Sequence, residues 1–179
     1  MRKYHKEIRD AGVVTELLKT CHVGRLGTIG RDGYPMVKPL NFAYAEGRIY
    51  FHTAREGEKI DDIRRDCRVC FEVDLPIAFV RGDNNPCRAE YLYRSVIIRG
   101  TARIVDSREE QIFGLRCLME KYQPGAGYGE FSDEKLGITG VVRIDIEEMT
   151  GKEDLGKGIV REQALKALEA GSSLPIVID

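Results

Sequence analysis

Short apolar runs separated by glycine-containing turns recur along the chain. "HVGRLGTIG" and "YPMVKPLNFAY" flank "RDG", and Asp-Gly between two apolar runs is a strong hairpin signal. A further glycine turn leads into "EGRIYFHT", which predicts a third strand. Strand character returns in "RVCFEVD", in "YLYRSVIIRGTARIV" and in "ITGVVRIDIEEMTG". The pattern therefore predicts six strands, of which the fifth is the longest.

Helical spacing of apolar residues appears between and around these strands. Asp10 can cap a helix through "AGVVTELLKTC", and Ser107 can cap a helix through "REEQIFGLRCLMEKY". "EGEKIDDIRRD" places Ile60 and Ile63 on one side of a short helix. "VREQALKALEA" predicts a last helix, and "GAGYGEFSDEKLG" predicts a mobile loop.

Strands joined by tight turns, with one helix between the third and the fourth strand, predict a mainly-β fold. The expected architecture is an antiparallel β-barrel with accessory helices. The composition changes after Gly151. Residues 1–150 are therefore predicted to form one domain, and residues 151–179 a C-terminal helical extension and tail.

Charge and composition exclude several classes of function. The 28 basic residues nearly balance the 29 acidic ones, so no strong net field favours nucleic acid or a membrane surface. The longest apolar stretches are far too short to span a bilayer, and the charged N-terminus lacks the apolar core of a secretion signal. Five cysteines without regular spacing fit a reducing compartment. These features predict a cytoplasmic protein.

Two motifs resemble known sites but lack the required context. Cys67 and Cys70 form C-x-x-C at the start of a strand, where positions three apart point to opposite faces. They are predicted to be buried apolar side chains, and no metal site is predicted. The glycines that recur between Gly24 and Gly33 do not make G-x-G-x-x-G, and no helix follows them, so a Rossmann phosphate loop is not predicted.

The stretch "IYFHTAREGEKIDDIRRD" combines several features of a phosphate site. At the end of a strand, Thr53 and nearby backbone N–H groups can turn towards one point, and the following helix begins with unpaired N–H groups that favour an anion. Gly57 allows close approach to the backbone, and Lys59 adds a compact positive charge. The alternative is an ordinary strand-to-helix turn with a solvated lysine.

Two further segments add to this picture. "KPLNF" puts a proline in the middle of a strand, which predicts an edge or a bulge because proline cannot donate to the ladder. The freed backbone around Leu40 and Asn41 could then hydrogen-bond a planar heterocycle. In "YRSV", Arg94 could meet a phosphate or a carboxylate, and the alternative is a surface arginine.

Taken together, "GRLGTIGRDGYPMVKPLNFAY", "IYFHTAREGEKIDDIRRDCRVCFEVD" and "YRSVIIRGTARIV" resemble the pyridoxamine 5'-phosphate oxidase-like, FMN-binding split-barrel superfamily. Within it, the sequence is most similar to the nitroimidazole-resistance (Nim) protein branch. The resemblance covers roughly residues 5 to 150 and rests on F-H-T-A-x-x-G-x-K together with P-L-N-F and Y-R-S-V. It implies a homodimer of six-stranded antiparallel split barrels, with FMN at the subunit interface.

The resemblance also assigns roles to residues. It implies that the segment with Thr53, Ala54, Gly57 and Lys59 holds the FMN phosphate, and that Pro39, Leu40, Asn41 and Phe42 lie along the isoalloxazine ring. It implies that Tyr93, Arg94 and Ser95 approach the cofactor from the partner subunit, that Arg25 could face the cofactor, and that His52 lies near the flavin.

The implied activity is that of a flavin-dependent oxidoreductase. Electrons would pass from NAD(P)H to a small acceptor such as a nitro compound or a quinone, with His52 supplying a proton or contributing to the phosphate site. Pyridoxamine phosphate oxidation is not expected, because the chain has no Trp and its end does not resemble the substrate segment of those oxidases. Haem binding or degradation, a flavin-holding sensor without turnover, and binding of the deazaflavin F420 stay open as alternatives.

Overall fold

The computed structural model describes residues 4–125, 127–172 and 174–178. Strands dominate, and helices lie between and after them. The strands are β1 Gly24–Ile29, β2 Pro35–Leu40, β3 Ala43–Ala45, β4 Arg48–Ala54, β5 Arg68–Val80, β6 Glu90–Ile104, β7 Thr139–Asp154 and β8 Ile176–Ile178. The helices are α1 Ala11–Thr20, α2 Glu58–Arg65, α3 Arg108–Tyr122, α4 Asp133–Ile138 and α5 Gly158–Glu169, with short 3₁₀ turns at Tyr4–Lys6 and Pro86–Arg88.

The strands form one sheet with the order β2-β1-β5-β6-β7-β4-β3, and β8 pairs with β5. The predicted first hairpin is confirmed, because β1 and β2 pair antiparallel from Gly24 opposite Leu40 to Ile29 opposite Pro35. Gly33 in its turn has a φ of 81°, a left-handed conformation that glycine adopts without steric cost. β4 pairs antiparallel with both β3 and β7, whereas β8 runs parallel to β5.

The predicted count of six strands is wrong for the described residues, which form eight. One extra strand arises because the predicted second strand breaks at Asn41 and Phe42, so that β2 and β3 are separate. The other is β8, which lies in the predicted tail. The predicted class, a mainly-β antiparallel fold with accessory helices, is confirmed.

The chain divides into two compact units. The first, here called the barrel unit, comprises residues 18–73 and 97–149, and the second unit comprises residues 1–17, 74–96 and 150–179. The core of the barrel unit contains aromatic pairs in edge-to-face contact, Phe42 with Phe71 and Tyr50 with Phe113. The second unit has its own buried cluster, which includes Ile77, Ala78, Val80, Leu92, Leu155, Ala164 and Ile178. The predicted domain division at residue 150 stays a prediction.

Both predicted helix caps are confirmed. The Asp10 carboxylate accepts a hydrogen bond from the Gly12 N–H at 2.7 Å, and the Ser107 hydroxyl accepts from the Glu110 N–H at 3.4 Å. The prediction of a mobile loop is wrong for residues 133–137, which lie in α4. Ser132 caps this helix by accepting from the Lys135 N–H at 3.3 Å.

Helix α3 packs directly on β4 because it carries a glycine at the contact. A Cβ atom at Gly114 would lie 3.0 Å from Val141 Cγ1 and 3.1 Å from Tyr50 Cδ1, which is closer than such contacts normally come. The Tyr50 hydroxyl also lies 3.2 Å from a carboxylate oxygen of Glu110 on α3. In the part of the chain that the structure describes, no helix has the length and apolarity required to cross a bilayer.

Candidate functional site

The junction between β4 and α2 leaves backbone donors and open space at one point. Gly57 is the N-cap of α2, with a φ of 119° and no side-chain cap, and nothing lies within 4 Å of the position that a Cβ atom would take there. The first amides of a helix have no intrahelical acceptor, so they attract an anion. Because Gly57 leaves the approach open, a phosphate can reach these amides.

Lys59 lies in the first turn of this helix and is half-buried. Its ammonium group lies 5.3 Å from the centroid of the Phe51 ring. Burial lowers the pKa of Lys59, and the positive charge of Lys38 lowers it further. No carboxylate of a described residue lies within ion-pair distance of this ammonium group. Lys59 is therefore a partly desolvated cation whose charge no carboxylate of a described residue neutralises.

A network of charged residues fixes α2 next to this cation. The ammonium of Lys38 on β2 lies 3.0 Å from Glu58 Oε2 and 3.6 Å from Asp62 Oδ2. Asp62 is only 2% exposed, and its carboxylate accepts hydrogen bonds from Thr28 at 2.9 Å and Arg65 at 2.8 Å. Burial alone would raise the pKa of Asp62, but these bonds and the charge of Lys38 outweigh burial and lower it.

The break between β2 and β3 is held by the end of α3. The Tyr122 hydroxyl donates to the His22 carbonyl at 2.6 Å and accepts from the Phe42 N–H at 3.1 Å, and it lies 3.2 Å from the Phe42 carbonyl. The adjacent Lys121 ammonium donates to the Leu18 carbonyl at 3.1 Å and lies 3.5 Å from the Phe42 ring centroid. Burial lowers the pKa of Lys121 to about 8. Lys121 and Tyr122 were not predicted as site residues, because their only sequence signal is a basic-aromatic dipeptide at a helix end.

A cavity of about 460 Å³ lies beside the other face of β4. It brings together two of the predicted site residues, Asn41 from the break and His52 from β4. The remaining lining comes mainly from α3 and α4: Leu115, Leu118, Met119, Tyr122, Phe131, Lys135, Leu136 and Thr139. Side chains alternate along a strand, so His52 and Thr53 project to opposite faces of β4. We call this space the α3–α4 cavity.

The other predicted site residues of the barrel unit occupy defined places. Pro39 and Leu40 lie on β2, opposite Arg25 and Gly24 of β1, and Arg25 makes an ion pair with Glu72 at 2.9 Å. Thr53 is half-buried and Ala54 is exposed, opposite Gly140 and Thr139 of β7. Their predicted contacts with a cofactor stay predictions.

Tyr93, Arg94 and Ser95 lie on β6 in the second unit and are half-buried. The Arg94 Nε donates to Glu153 at 3.1 Å, so this guanidinium has a carboxylate partner within its own unit. The ammonium of Lys152 lies 5.3 Å from the centroid of the Tyr93 ring. Their predicted role in a partner subunit stays a prediction.

The prediction that Cys67 and Cys70 are buried is wrong, because both are exposed. The alternating pattern that predicted the strand did not show which of its faces is covered. Among the described residues, no three His, Cys, Asp or Glu side chains are grouped so that they could hold a metal ion.

The fold and the junction define the class of protein: an antiparallel split barrel with a partly buried lysine in the helix that follows its fourth strand. A sequence model of the pyridoxamine 5'-phosphate oxidase family matches residues 10–153, and the chain belongs to this family. The resemblance predicted from the sequence is thereby confirmed. A comparison with curated protein sequences found no match.

Three solved structures illustrate the similarity. A candidate 5-nitroimidazole antibiotic resistance protein from Bacteroides thetaiotaomicron is 25% identical, with a TM-score of 0.73 over 82% of this chain and 86% of that one. The flavocytochrome Anf3 from Azotobacter vinelandii is 20% identical, with a TM-score of 0.78 over 93% and 77%. An FAD- and haem-binding protein from Mycobacterium smegmatis is 17% identical, with a TM-score of 0.74 over 90% and 80%. The last two show a shared fold alone.

Proposed function

We propose that the protein binds FMN and acts as an FMN-dependent oxidoreductase, which uses electrons from NAD(P)H to reduce a small acceptor such as a nitro compound or a quinone. The observation that carries this proposal is Lys59, a half-buried cation next to Lys38 that has no carboxylate partner in the described ranges. A phosphate monoester bound at this point would supply the missing negative charge.

The residues at the junction fit a phosphate group. The helix amides after Gly57 and the ammonium of Lys59 provide hydrogen-bond donors on one side, and the space at Gly57 is open. Lys38 keeps its position because Glu58 and Asp62 hold it. The charged groups near the junction therefore comprise three cations and two carboxylates, which leaves one net positive charge. They are Lys38, Lys59, Arg65, Glu58 and Asp62.

The break at Asn41 fits the edge of a flavin ring. The exposed Asn41 carboxamide makes no hydrogen bond to another described residue, so its donors and its acceptor stay available for a ligand. A bound flavin supplies the redox chemistry, while the protein orients it and controls proton supply. His52, exposed on β4 next to Thr53, is the residue that we propose holds a proton near the ring. The flavin-related names of two structural neighbours, the flavocytochrome and the FAD- and haem-binding protein, agree with this class of cofactor.

We further propose that the functional form is a homodimer, to which each subunit contributes Tyr93, Arg94 and Ser95 for the flavin of the other. Exposed apolar side chains on three strands support this: Ile29 on β1 is 40% exposed, Val37 on β2 65% and Ile97 on β6 46%. Large exposed apolar areas commonly mark interaction sites. Sedimentation that detects only monomer in the presence of FMN would contradict the dimer. A cytoplasmic location stays a prediction.

The experiment that tests the function compares FMN with riboflavin, which lacks the phosphate. The purified protein is titrated with each flavin and followed by flavin fluorescence, and NADH or NADPH oxidation is then measured with menadione or nitrofurazone as acceptor. We expect FMN to bind much more tightly than riboflavin, and acceptor-dependent oxidation to follow. Absence of FMN binding would refute the proposal.

Two further outcomes would point to the alternatives. A Soret band in the absorption spectrum would indicate haem instead of a flavin. Tight FMN binding without oxidation of either nicotinamide by any acceptor would indicate a flavin-holding sensor.

A further inference from the structure

The α3–α4 cavity has an apolar interior built by two helices. Leu115, Leu118 and Met119 extend from α3, and Leu136 enters from α4. Leu118 and Leu136 are buried. Apolar walls of this kind favour a flat hydrocarbon body, because its burial removes apolar surface from water. Met119 adds an unbranched side chain that adapts its shape to a ligand.

Three side chains with hydrogen-bond donors also line this cavity. Asn41, His52 and Lys135 can each donate hydrogen bonds, and their side chains have no hydrogen-bond or ion-pair partner among the described residues. Lys135 is exposed, so its ammonium lies at the rim of the cavity and not in its interior. The lining includes no carboxylate.

Two other lysines of the barrel unit have partners that Lys135 lacks. Lys38 pairs with two carboxylates, and Lys121 donates to a carbonyl and contacts aromatic rings. Lys135 has neither kind of contact, although α4 itself is anchored: the Gln111 amide donates to the Leu136 carbonyl at 2.9 Å. A fixed helix thus presents an unpaired cation at the rim of an apolar space.

We propose that the α3–α4 cavity binds a small aromatic carboxylate, with its ring between the leucines and its carboxylate at the Lys135 ammonium. This site is separate from the proposed phosphate site, because His52 and Thr53 project to opposite faces of β4. Binding itself does not require a flavin. A position next to the flavin ring, which would make this ligand the substrate or a competitive regulator, rests on the proposed function.

The proposal can be tested by titrating 2-naphthoate, which is fluorescent, into the purified full-length chain. The neutral 2-naphthamide serves as the ligand control. Because an ion pair at an exposed position is screened by solvent, Lys135→Met should weaken naphthoate binding by about two- to fivefold, and Lys135→Arg should restore most of it. Lys19→Met removes the same charge from an exposed position on α1 and should change nothing.

A second variant tests the cavity instead of the charge. Leu115→Trp fills the space from α3 and should abolish binding of both naphthoate and naphthamide, with thermal unfolding as the check on its fold. Equal affinity for the two ligands, or naphthoate binding that survives both Lys135→Met and Leu115→Trp, would overturn the proposal.

The relation to the flavin is decided by repeating the titration with saturating FMN. Naphthoate that still binds to the FMN-loaded protein supports a separate site. Displacement of naphthoate by FMN would overturn the separation and assign the cavity to the flavin itself. If FMN does not bind at all but naphthoate does, the proposed function fails and the cavity site stands.

Discussion

Replacement of Lys59 by methionine should weaken FMN binding and stabilise the flavin-free protein, and these opposite effects have one cause. Methionine keeps most of the apolar stem but removes the ammonium group near Phe51, which burial and Lys38 make unfavourable. Functional residues often cost stability in this way. An ordinary surface lysine would show neither effect.

The expected magnitudes follow from this environment. Loss of one hydrogen bond to a charged phosphate costs about 1.5–3 kcal/mol, which corresponds to about 10- to 150-fold weaker FMN binding. Riboflavin affinity should change little, because riboflavin lacks the phosphate. Removal of the partly buried charge should stabilise the flavin-free chain by about 1 kcal/mol, or about 2–4 °C in Tm for a protein of this size.

The pH dependence has a definite sign. The pKa of Lys59 is lowered in the folded protein, so at neutral pH both folded and unfolded states are protonated and the full penalty is present. As the pH rises through the lowered pKa towards the ordinary value of 10.5, the folded state loses its proton first and the penalty disappears. The stability advantage of Lys59→Met should therefore shrink at high pH.

The assay is thermal unfolding of the flavin-free protein between neutral and alkaline pH, combined with fluorescence titration of FMN and riboflavin. Lys19→Met is the matched control, since Lys19 is exposed and its loss changes the net charge equally. A lower Tm of Lys59→Met at neutral pH, or an equal loss of affinity for FMN and riboflavin, would contradict this role of Lys59.

Three further substitutions test the site's supports by thermal unfolding. Tyr122→Phe leaves the buried backbone of Phe42 without its partner and should cost about 1–3 kcal/mol, and an unchanged Tm would contradict that contact. The methyl group of Gly57→Ala would meet no atom, but a φ of 119° is strained for alanine. This substitution should therefore lower the free energy of unfolding by about 1–3 kcal/mol and weaken FMN binding. An unchanged Tm would contradict the predicted strain. Thr28→Val removes a bond to ionised Asp62 and should cost about 1.5–3 kcal/mol at neutral pH. The loss of stability should shrink as the pH falls from 3.8 through the lowered pKa of Asp62, because the carboxylate then becomes protonated. A loss that does not depend on pH would contradict the role of this bond.

The sequence predicted those features that depend on neighbouring residues. The first hairpin, both helix caps and the β4–α2 junction follow from local spacing, because alternation, capping and turn residues act within a few positions. The proline in "KPLNF" predicted an edge or a bulge, and β2 is an edge strand of the sheet, although the break at Asn41 was not predicted.

What the sequence could not predict depends on distant partners. Tyr122 reaches His22 and Phe42, each 80 or more residues away, and no local pattern indicates such a contact. The exposure of Cys70 depends on what covers its face of the sheet. α4 and β8 are short, at six and three residues, so their periodic signal is too weak to separate them from loops.

The missing side chain at Gly114 has a consequence for what the protein can accept. The contact of α3 with Tyr50 and Val141 sets the distance between the helix and the strands, and that distance limits the width of the α3–α4 cavity. Alanine at this position would act as a spacer, because the neighbouring atoms would have to yield by a few tenths of an ångström. A residue that does not line the α3–α4 cavity would thus set the size of the ligand that this cavity accepts.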